Sequence, residues 1–207
     1  MQMQKFSGFL PALVLVSLSA ALSAQSREDP LVGRWRSAVA SPAGLSAVFE
    51  FHAGDQFDSW SAVASEGTYR LVGTDTVVLK GEAGTQKLEV EWDNQDRARL
   101  DEDEAEKYTD ITRVGTARDS RNALAGEWTC VREWKGGRYP ARVFFMPDGR
   151  VIWVTILRVD HGTYAVTGKT IRFQIPGRPL VEGEFSITGD RLTLPSPRGN
   201  GLIFKRF

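Results

Sequence analysis

The residue types that most often carry chemistry are sparse in this chain of 207 residues. It contains two histidines, His52 and His161, and one cysteine, Cys130. Their positions show no spacing typical of a zinc site, which needs three or four converging ligands. The sequence also has no Gly-x-Ser-x-Gly nucleophile motif and no phosphate-binding loop. We therefore expect a protein that is not an enzyme and that holds no metal or other cofactor.

The carboxylates and the cysteine do not change this expectation. Glu89 and Glu91 share one face of a predicted strand, where alternating charge is typical of a solvated surface. An acidic run at residues 101–106 lacks the glycine and the ligand spacing of a calcium-binding loop, so we expect a solvated hairpin loop. Cys130 alternates with Trp128, which predicts a buried thiol on the inward face of a strand.

An internal repeat organises the elements that hold these residues. Matching landmarks occur in the same order and are separated by 93 to 95 positions. They are Gly33 and Trp35 with Gly126 and Trp128, the Gly-Thr-Tyr triplets at 67–69 and 162–164, and Arg113 with Arg206. The repeat predicts two domains, at residues 31–114 and 123–207, joined by a linker at residues 115–122 that has no large apolar residue.

Residues 1–24 have the pattern of a secretory signal peptide. Lys5 precedes an apolar run, and the small residues before Gln25 predict cleavage after Ala24. The apolar run is short for a membrane span, and Gln25 stands where a lipoprotein would need cysteine. We expect a secreted or periplasmic protein without a stable membrane anchor and without a nucleic-acid partner.

Short β-rich runs separated by turns fill both predicted domains. Leu88–Trp92 alternates apolar and charged residues, and Pro147–Arg150 carries a typical hairpin sequence. No window beyond the signal peptide has a convincing helical period. About eight short strands per domain predict an all-β fold of two tandem antiparallel up-and-down β-barrels, because closure removes exposed strand edges.

The order of the landmarks resembles the lipocalin-like (calycin) β-barrels. In that family a Gly-x-Trp motif begins the first strand, the tryptophan closes one end of the barrel, and an arginine from the last strand packs across the indole. A guanidinium over an indole is a stabilising cation–π contact. The resemblance implies one such closure in each domain: Gly33 and Trp35 with Arg113, and Gly126 and Trp128 with Arg206.

Two functions remain open from the sequence. The first is binding of a small, partly apolar ligand in one barrel or in the groove between the barrels. Aromatic side chains would line that site, and the candidates are Phe57, Trp60, Tyr69, Tyr164 and Phe173. The alternative is a non-enzymatic cell-envelope module with filled barrels, which acts as a structural or protein-interaction element. An empty interior favours the first function, and packed cores favour the second.

The two repeats carry opposite net charge. Residues 31–114 contain 9 Lys and Arg against 16 Asp and Glu, a net charge of −7. Residues 123–207 contain 13 against 7, a net charge of +6. This asymmetry predicts electrostatic contact between the two domains or between two copies of the chain.

The segment at residues 151–157 is apolar on both strand faces. Alignment with the first repeat predicts that Ile152, Val154 and Ile156 point into the barrel. Trp153 and Leu157 then face outward, where they would mark an interface with the other domain or with a partner.

Overall fold

The computed structural model describes residues 29–82, 84–102, 107–116, 119, 122–196 and 201–207. Over these residues the protein is all-β, as the sequence predicted, and contains no helix that is long and apolar enough to cross a membrane. The predicted signal peptide, residues 103–106 of the acidic run, and linker positions 117, 118, 120 and 121 lie outside the described residues.

Fifteen strands are numbered β1 to β15 in chain order. Two of them, β3 and β10, are much longer than a typical strand of five or six residues. The strands are β1 (Gly33–Ser37), β2 (Ser46–His52), β3 (Gln56–Val72), β4 (Thr76–Gly81), β5 (Gly84–Asn94), β6 (Arg97–Glu102), β7 (Lys107–Arg113), β8 (Gly126–Trp134), β9 (Gly137–Phe145), β10 (Arg150–Thr167), β11 (Thr170–Gln174), β12 (Val181–Glu184), β13 (Ser186–Thr188), β14 (Arg191–Leu194) and β15 (Leu202–Arg206).

All the strands belong to one antiparallel sheet. From β3 to β10 each strand pairs with the next along the chain, and β10 pairs back with β3. These eight strands therefore form a closed cycle of hydrogen-bonded pairs, which we call the first ring. Its first and last members meet in the ladder between the C-terminal half of β3 and the N-terminal half of β10.

The other halves of β3 and β10 belong to a second set of strands. The N-terminal half of β3 pairs with β2, which leads through β1 and β15 to β14 and β13. The C-terminal half of β10 pairs with β11, which leads to β12. Because β12 and β13 are separated only by Phe185, the chain itself joins the two ends of this set, which we call the second ring.

The two rings share the ladder between β3 and β10. It runs from the pair Gln56–Thr163 to the pair Thr68–Arg150, with a register shift between Ile156 and Arg158. Strand β10 has 18 residues and β3 has 17, and the shift leaves Leu157 as the extra residue of a β-bulge.

Each ring combines strands from both sequence repeats. The first ring holds the later strands of the first repeat with β8, β9 and half of β10 from the second. The second ring holds β1, β2 and half of β3 with the later strands of the second repeat. The boundaries at 31–114 and 123–207 thus mark the repeat in the sequence. In the structure, strands of one repeat pair with strands of the other, and we call this the exchanged arrangement.

Three apolar clusters form the core. Alternation within strands builds them, as in β11, where Ile171 and Phe173 are buried and their neighbours are not. The first cluster fills part of the first ring and includes Val90, Leu100 and Trp128, whereas the second fills the second ring. The third cluster contains Val48, Trp60, Ala62, Phe144, Ile152, Val154 and Ile156, from strands of both rings, and we call it the junction cluster.

The predicted tryptophan–arginine contacts exist, but their partners are exchanged. Arg113 lies over Trp128 at 4.1 Å, and Arg206 lies over Trp35 at 4.2 Å, measured from Cζ to the ring centroid. Both tryptophans are fully buried. The prediction of pairing within each repeat was wrong, because β7 pairs with β8 and β1 pairs with β15 across the repeat boundary.

The glycines of the two Gly-x-Trp motifs have the same unusual backbone. Gly33 has φ of 122° and Gly126 has φ of 128°, a region that residues with a Cβ rarely adopt. This turn brings the indole Nε1 of Trp35 to within 2.7 Å of the Leu31 carbonyl. The second motif repeats the bond at 2.7 Å, from the Trp128 indole to the carbonyl four residues earlier.

Candidate functional site

One concave site of the described structure lies in the interior of the first ring. A cavity of about 780 Å³ lies there, at the end away from Trp128 and Arg113. The cavity extends to Arg132 and Glu133, near the β8–β9 hairpin, whereas the indole of Trp128 closes the ring four positions earlier on β8. The ring is therefore closed at one end and hollow toward the other.

The cavity has an apolar floor and a charged rim. Its floor is made by four buried aliphatic side chains and one indole: Leu79, Leu88, Leu100, Val151 and Trp153. Charged residues of both signs lie at its edge: Lys80, Arg132 and Arg138 with Glu82 and Glu133. A site of this size and composition suits a small molecule that is partly apolar.

Trp153 is the aromatic residue of the floor. Its indole packs edge-on against Phe145, with 6.4 Å between ring centroids, and the Arg132 guanidinium lies 4.9 Å from the Trp153 centroid. These neighbours hold one aromatic face beside the cavity, with a cation at its border.

The strand faces around Trp153 are the reverse of the prediction. Trp153 packs against the core of the first ring, whereas Ile152, Val154 and Ile156 form part of the junction cluster. Leu157, predicted to share the outer face with Trp153, is the half-buried bulge residue. The alignment assumed one ring for each repeat, but β10 borders both rings, so both of its faces are covered by protein.

The five aromatic residues predicted to line a ligand site are distributed over three clusters. Phe57, Tyr164 and Phe173 lie in the second ring, Trp60 lies in the junction cluster, and Tyr69 lies in the first ring. All five are buried, and the structure does not bring them together around one cavity.

The two tyrosines have equivalent structural contacts. The Tyr164 hydroxyl donates to Asp29 Oδ2 at 2.8 Å, and the Tyr69 hydroxyl accepts from Asn122 Nδ2 at 2.8 Å. Asp29 and Asn122 each precede a Leu-x-Gly-x-Trp motif, so each contact joins a tyrosine of one repeat to the segment just before the other repeat. Burial raises the pKa of both hydroxyls.

Cys130 packs against the core of the first ring, on the inward face that the sequence predicted. Burial raises the pKa of its thiol to about 11. A thiol with so high a pKa is almost entirely protonated at neutral pH and is a weak nucleophile.

The two histidines meet in the structure, although no motif in the sequence predicts it. Both contact the carboxylate of Asp58 on the outside of the second ring, beside a separate cavity of about 510 Å³. His52 and Asp58 are near in sequence, but His161 reaches Asp58 only through the ladder between β3 and β10.

Searches against protein-family models, curated proteins and solved structures found no match to this chain.

Proposed function

We propose that this protein binds a small, partly apolar ligand in the first ring. The observation that carries the proposal is the contrast between a cavity of about 780 Å³ in this ring and the packed aromatic core of the second. An empty interior is the feature that separates a ligand-binding protein from a module with filled cores.

We also propose that each ring is a lipocalin-like barrel built by two repeats that exchange strands. The support is the repeated closure, in which Gly-x-Trp lies beneath an arginine that binds backbone carbonyls. Arg113 Nη1 donates to the Ala125 carbonyl at 2.8 Å, and Arg206 Nη1 donates to the Val32 carbonyl at 3.1 Å. Export by the predicted signal peptide at residues 1–24 completes this proposal and would place binding outside the cytoplasm.

The cavity chemistry defines the kind of ligand. Apolar surface at the floor gains roughly 25 cal/mol for each Å² removed from water. The mixed charges at the rim fit a polar or zwitterionic end group that remains near solvent. In this proposal the protein has no catalytic role, and its second ring acts as a rigid support for the first.

Native mass spectrometry of protein purified from its own host tests the proposal. We expect a co-purified small molecule on the wild-type chain and its loss from Leu100→Trp, which fills the floor. Val166→Ala, at an exposed position of β10 on the second ring, is the control and should retain the molecule.

A fluorescent probe gives an independent measurement. Anilinonaphthalene sulfonate should bind the wild type and Val166→Ala with equal affinity, and Leu100→Trp at least tenfold more weakly. The melting temperature of Leu100→Trp shows whether the fold is intact. A wild-type protein that carries no molecule and binds no probe would instead support the alternative, a structural or interaction module.

A further inference from the structure

Both histidines of the chain converge on one carboxylate. His52 Nε2 lies 3.2 Å from Asp58 Oδ2, and His161 Nδ1 lies 2.6 Å from Asp58 Oδ1. Phe57 points into the second ring, so Asp58 faces the outside of that ring by strand alternation. The three side chains lie on three neighbouring strands, β2, β3 and β10.

A second carboxylate completes the group. Glu50 on β2 is directly opposite Asp58 on β3. One ligand atom from each of Glu50, His52 and Asp58 can be chosen so that all lie within 4.8 Å of one another. Two carboxylates opposite each other destabilise a strand pair unless positive charge lies between them.

Protein side chains supply only part of that positive charge. Arg34 contacts Glu50 Oε1 at 2.6 Å, but it also pairs with Glu127 at 2.8 Å. Within the described part of the chain, the side chains that contact the Asp58 carboxylate in this way are the two imidazoles, which carry positive charge only when protonated. A cation beside Asp58 would therefore relieve the repulsion between the two carboxylates.

We propose that Glu50, His52 and Asp58 bind a divalent first-row transition-metal ion such as Zn²⁺. One imidazole with two carboxylates suits such an ion, whereas Ca²⁺ and Mg²⁺ prefer oxygen ligands alone. Bonds of ~2.0–2.2 Å in a tetrahedral site place neighbouring ligand atoms roughly 3.3 Å apart. The 3.2 Å between His52 Nε2 and Asp58 Oδ2 fits that spacing.

His161 is a positioning residue for this site. Its Nδ1 contacts the second oxygen of Asp58, which orients the carboxylate and leaves Oδ2 for the ion. A partner of this kind fixes the geometry of a metal ligand and commonly contributes a factor of about 10–100 to affinity.

The site is partly enclosed and has room for an additional ligand. The side chains of Glu50, Asp58 and His52 are 15%, 25% and 42% exposed. His52, Asp58 and His161 line the cavity of about 510 Å³, together with Gln56 and Thr163. The fourth coordination position would be open to that cavity, as in zinc sites that bind water or an exogenous group.

Calorimetric titration with Zn²⁺ tests the proposal on tag-free protein that carries Cys130→Ser, which removes the thiol as a competing ligand. We expect one saturable site. His52→Ala and Asp58→Asn should each weaken binding at least a hundredfold. Asp160→Asn is the matched control, because this nearby carboxylate pairs with Arg158 and Arg178, and it should leave affinity unchanged.

Variants of the second histidine test its positioning role. His161→Ala should weaken Zn²⁺ binding about tenfold. His161→Gln should recover part of the loss, because its amide can donate to Asp58. Equal weakening in the Ala and Gln variants would overturn this role.

Imidazole NMR signals identify the site directly. Zn²⁺ should shift the His52 ring signals at one equivalent, and equimolar Mg²⁺ should not. The proposal is overturned if the wild type shows no saturable Zn²⁺ binding, or if His52→Ala and Asp58→Asn fold normally and bind as the wild type does. The first ring is not involved, so this outcome leaves the ligand proposal unchanged.

Discussion

Each ring is closed at one end by a tryptophan covered by an arginine, but the two rings have different interiors. In the second ring, Phe49 lies within 5.9 Å of the centroids of four other phenylalanine rings, and these side chains fill the space. In the first ring the equivalent region is lined by leucine and valine, and a cavity of about 780 Å³ remains. The large aromatic side chains of the second ring thus occupy space that smaller aliphatic side chains leave open in the first.

The closures also differ in their exposure to water. The Arg113 side chain is only 2% exposed, whereas the guanidinium contacts of Arg206 lie in exposed surroundings. A cation–π contact is stronger when it is desolvated, at about 2 kcal/mol against about 0.5–1 kcal/mol at exposed sites. The hollow ring therefore has the less exposed closed end.

Separating the two repeats should have the largest effect on the molecule. We expect residues 29–116 and 119–207, expressed separately, to lack the full set of strands for either ring. Each of the three core clusters draws residues from both segments. Mixed or co-expressed, the two segments should form a 1:1 complex with the circular dichroism spectrum and melting transition of the intact chain.

Size-exclusion chromatography with light scattering checks this expectation. Two monomeric segments that each fold and do not associate would show that each repeat closes on itself. The long strands β3 and β10 would then have to turn back near Ala62 and Thr155, where the structure shows continuous pairing.

Much of the fold could be predicted from the sequence, because alternation and turn residues act locally. The all-β class followed from these patterns, and so did the burial of Trp35 and Trp128. The exchange of partners could not be predicted, since the landmark residues are the same in both repeats. Local pattern shows that an arginine covers a tryptophan, but it does not show which copy supplies the arginine.

The His52, Asp58 and His161 cluster depends on that exchange. Glu66 occupies the position in the first repeat that His161 occupies in the second. If each repeat closed on itself, the equivalent pairing would bring Glu66, not His161, near Asp58. Opposed carboxylates are unfavourable, so the charges at these positions favour the exchanged arrangement. The contact of His161 could not be predicted from the sequence, because it reaches Asp58 only through the ladder between β3 and β10, whereas Glu50, His52 and Asp58 meet in the β2–β3 hairpin.

Truncation of one core residue in each ring should show the next largest effect. Phe51→Ala in the packed ring should lower the free energy of unfolding by ~3–5 kcal/mol. Leu88→Ala, beside the existing cavity, should cost about 2 kcal/mol, the lower end for a buried leucine. Urea unfolding followed by circular dichroism measures both values.

The surrounding space gives the reason for the difference. Phe51 has ring neighbours on several sides, with centroids 5.0 Å from Tyr164 and 5.9 Å from Phe49, so its removal leaves a new void. Leu88 has the cavity on one side, so its truncation mainly enlarges a space that already exists. Equal losses for the two variants would contradict the contrast between a filled and a hollow ring.

The smallest expected effect distinguishes the tyrosines of the two rings at high pH. Burial raises the pKa of Tyr164, and its hydrogen bond to the Asp29 carboxylate raises it further, because ionisation would place two negative charges together. Burial also raises the pKa of Tyr69, but the amide of Asn122 donates to its oxygen and lowers it again.

These pKa differences make stability depend on pH. In the unfolded chain both tyrosines ionise near the ordinary tyrosine pKa of 10.0. Above that pH the unfolded chain loses protons that the folded protein retains, so stability falls as pH rises. We expect Tyr164→Phe to reduce this fall between about pH 9 and pH 11, and Tyr69→Phe to reduce it less. Urea unfolding midpoints across this range measure how stability changes with pH. The ionisation of Cys130 contributes equally in the wild type and in the two tyrosine variants. A larger change of slope for Tyr69→Phe would show that the Asp29 carboxylate does not raise the pKa of Tyr164 above that of Tyr69.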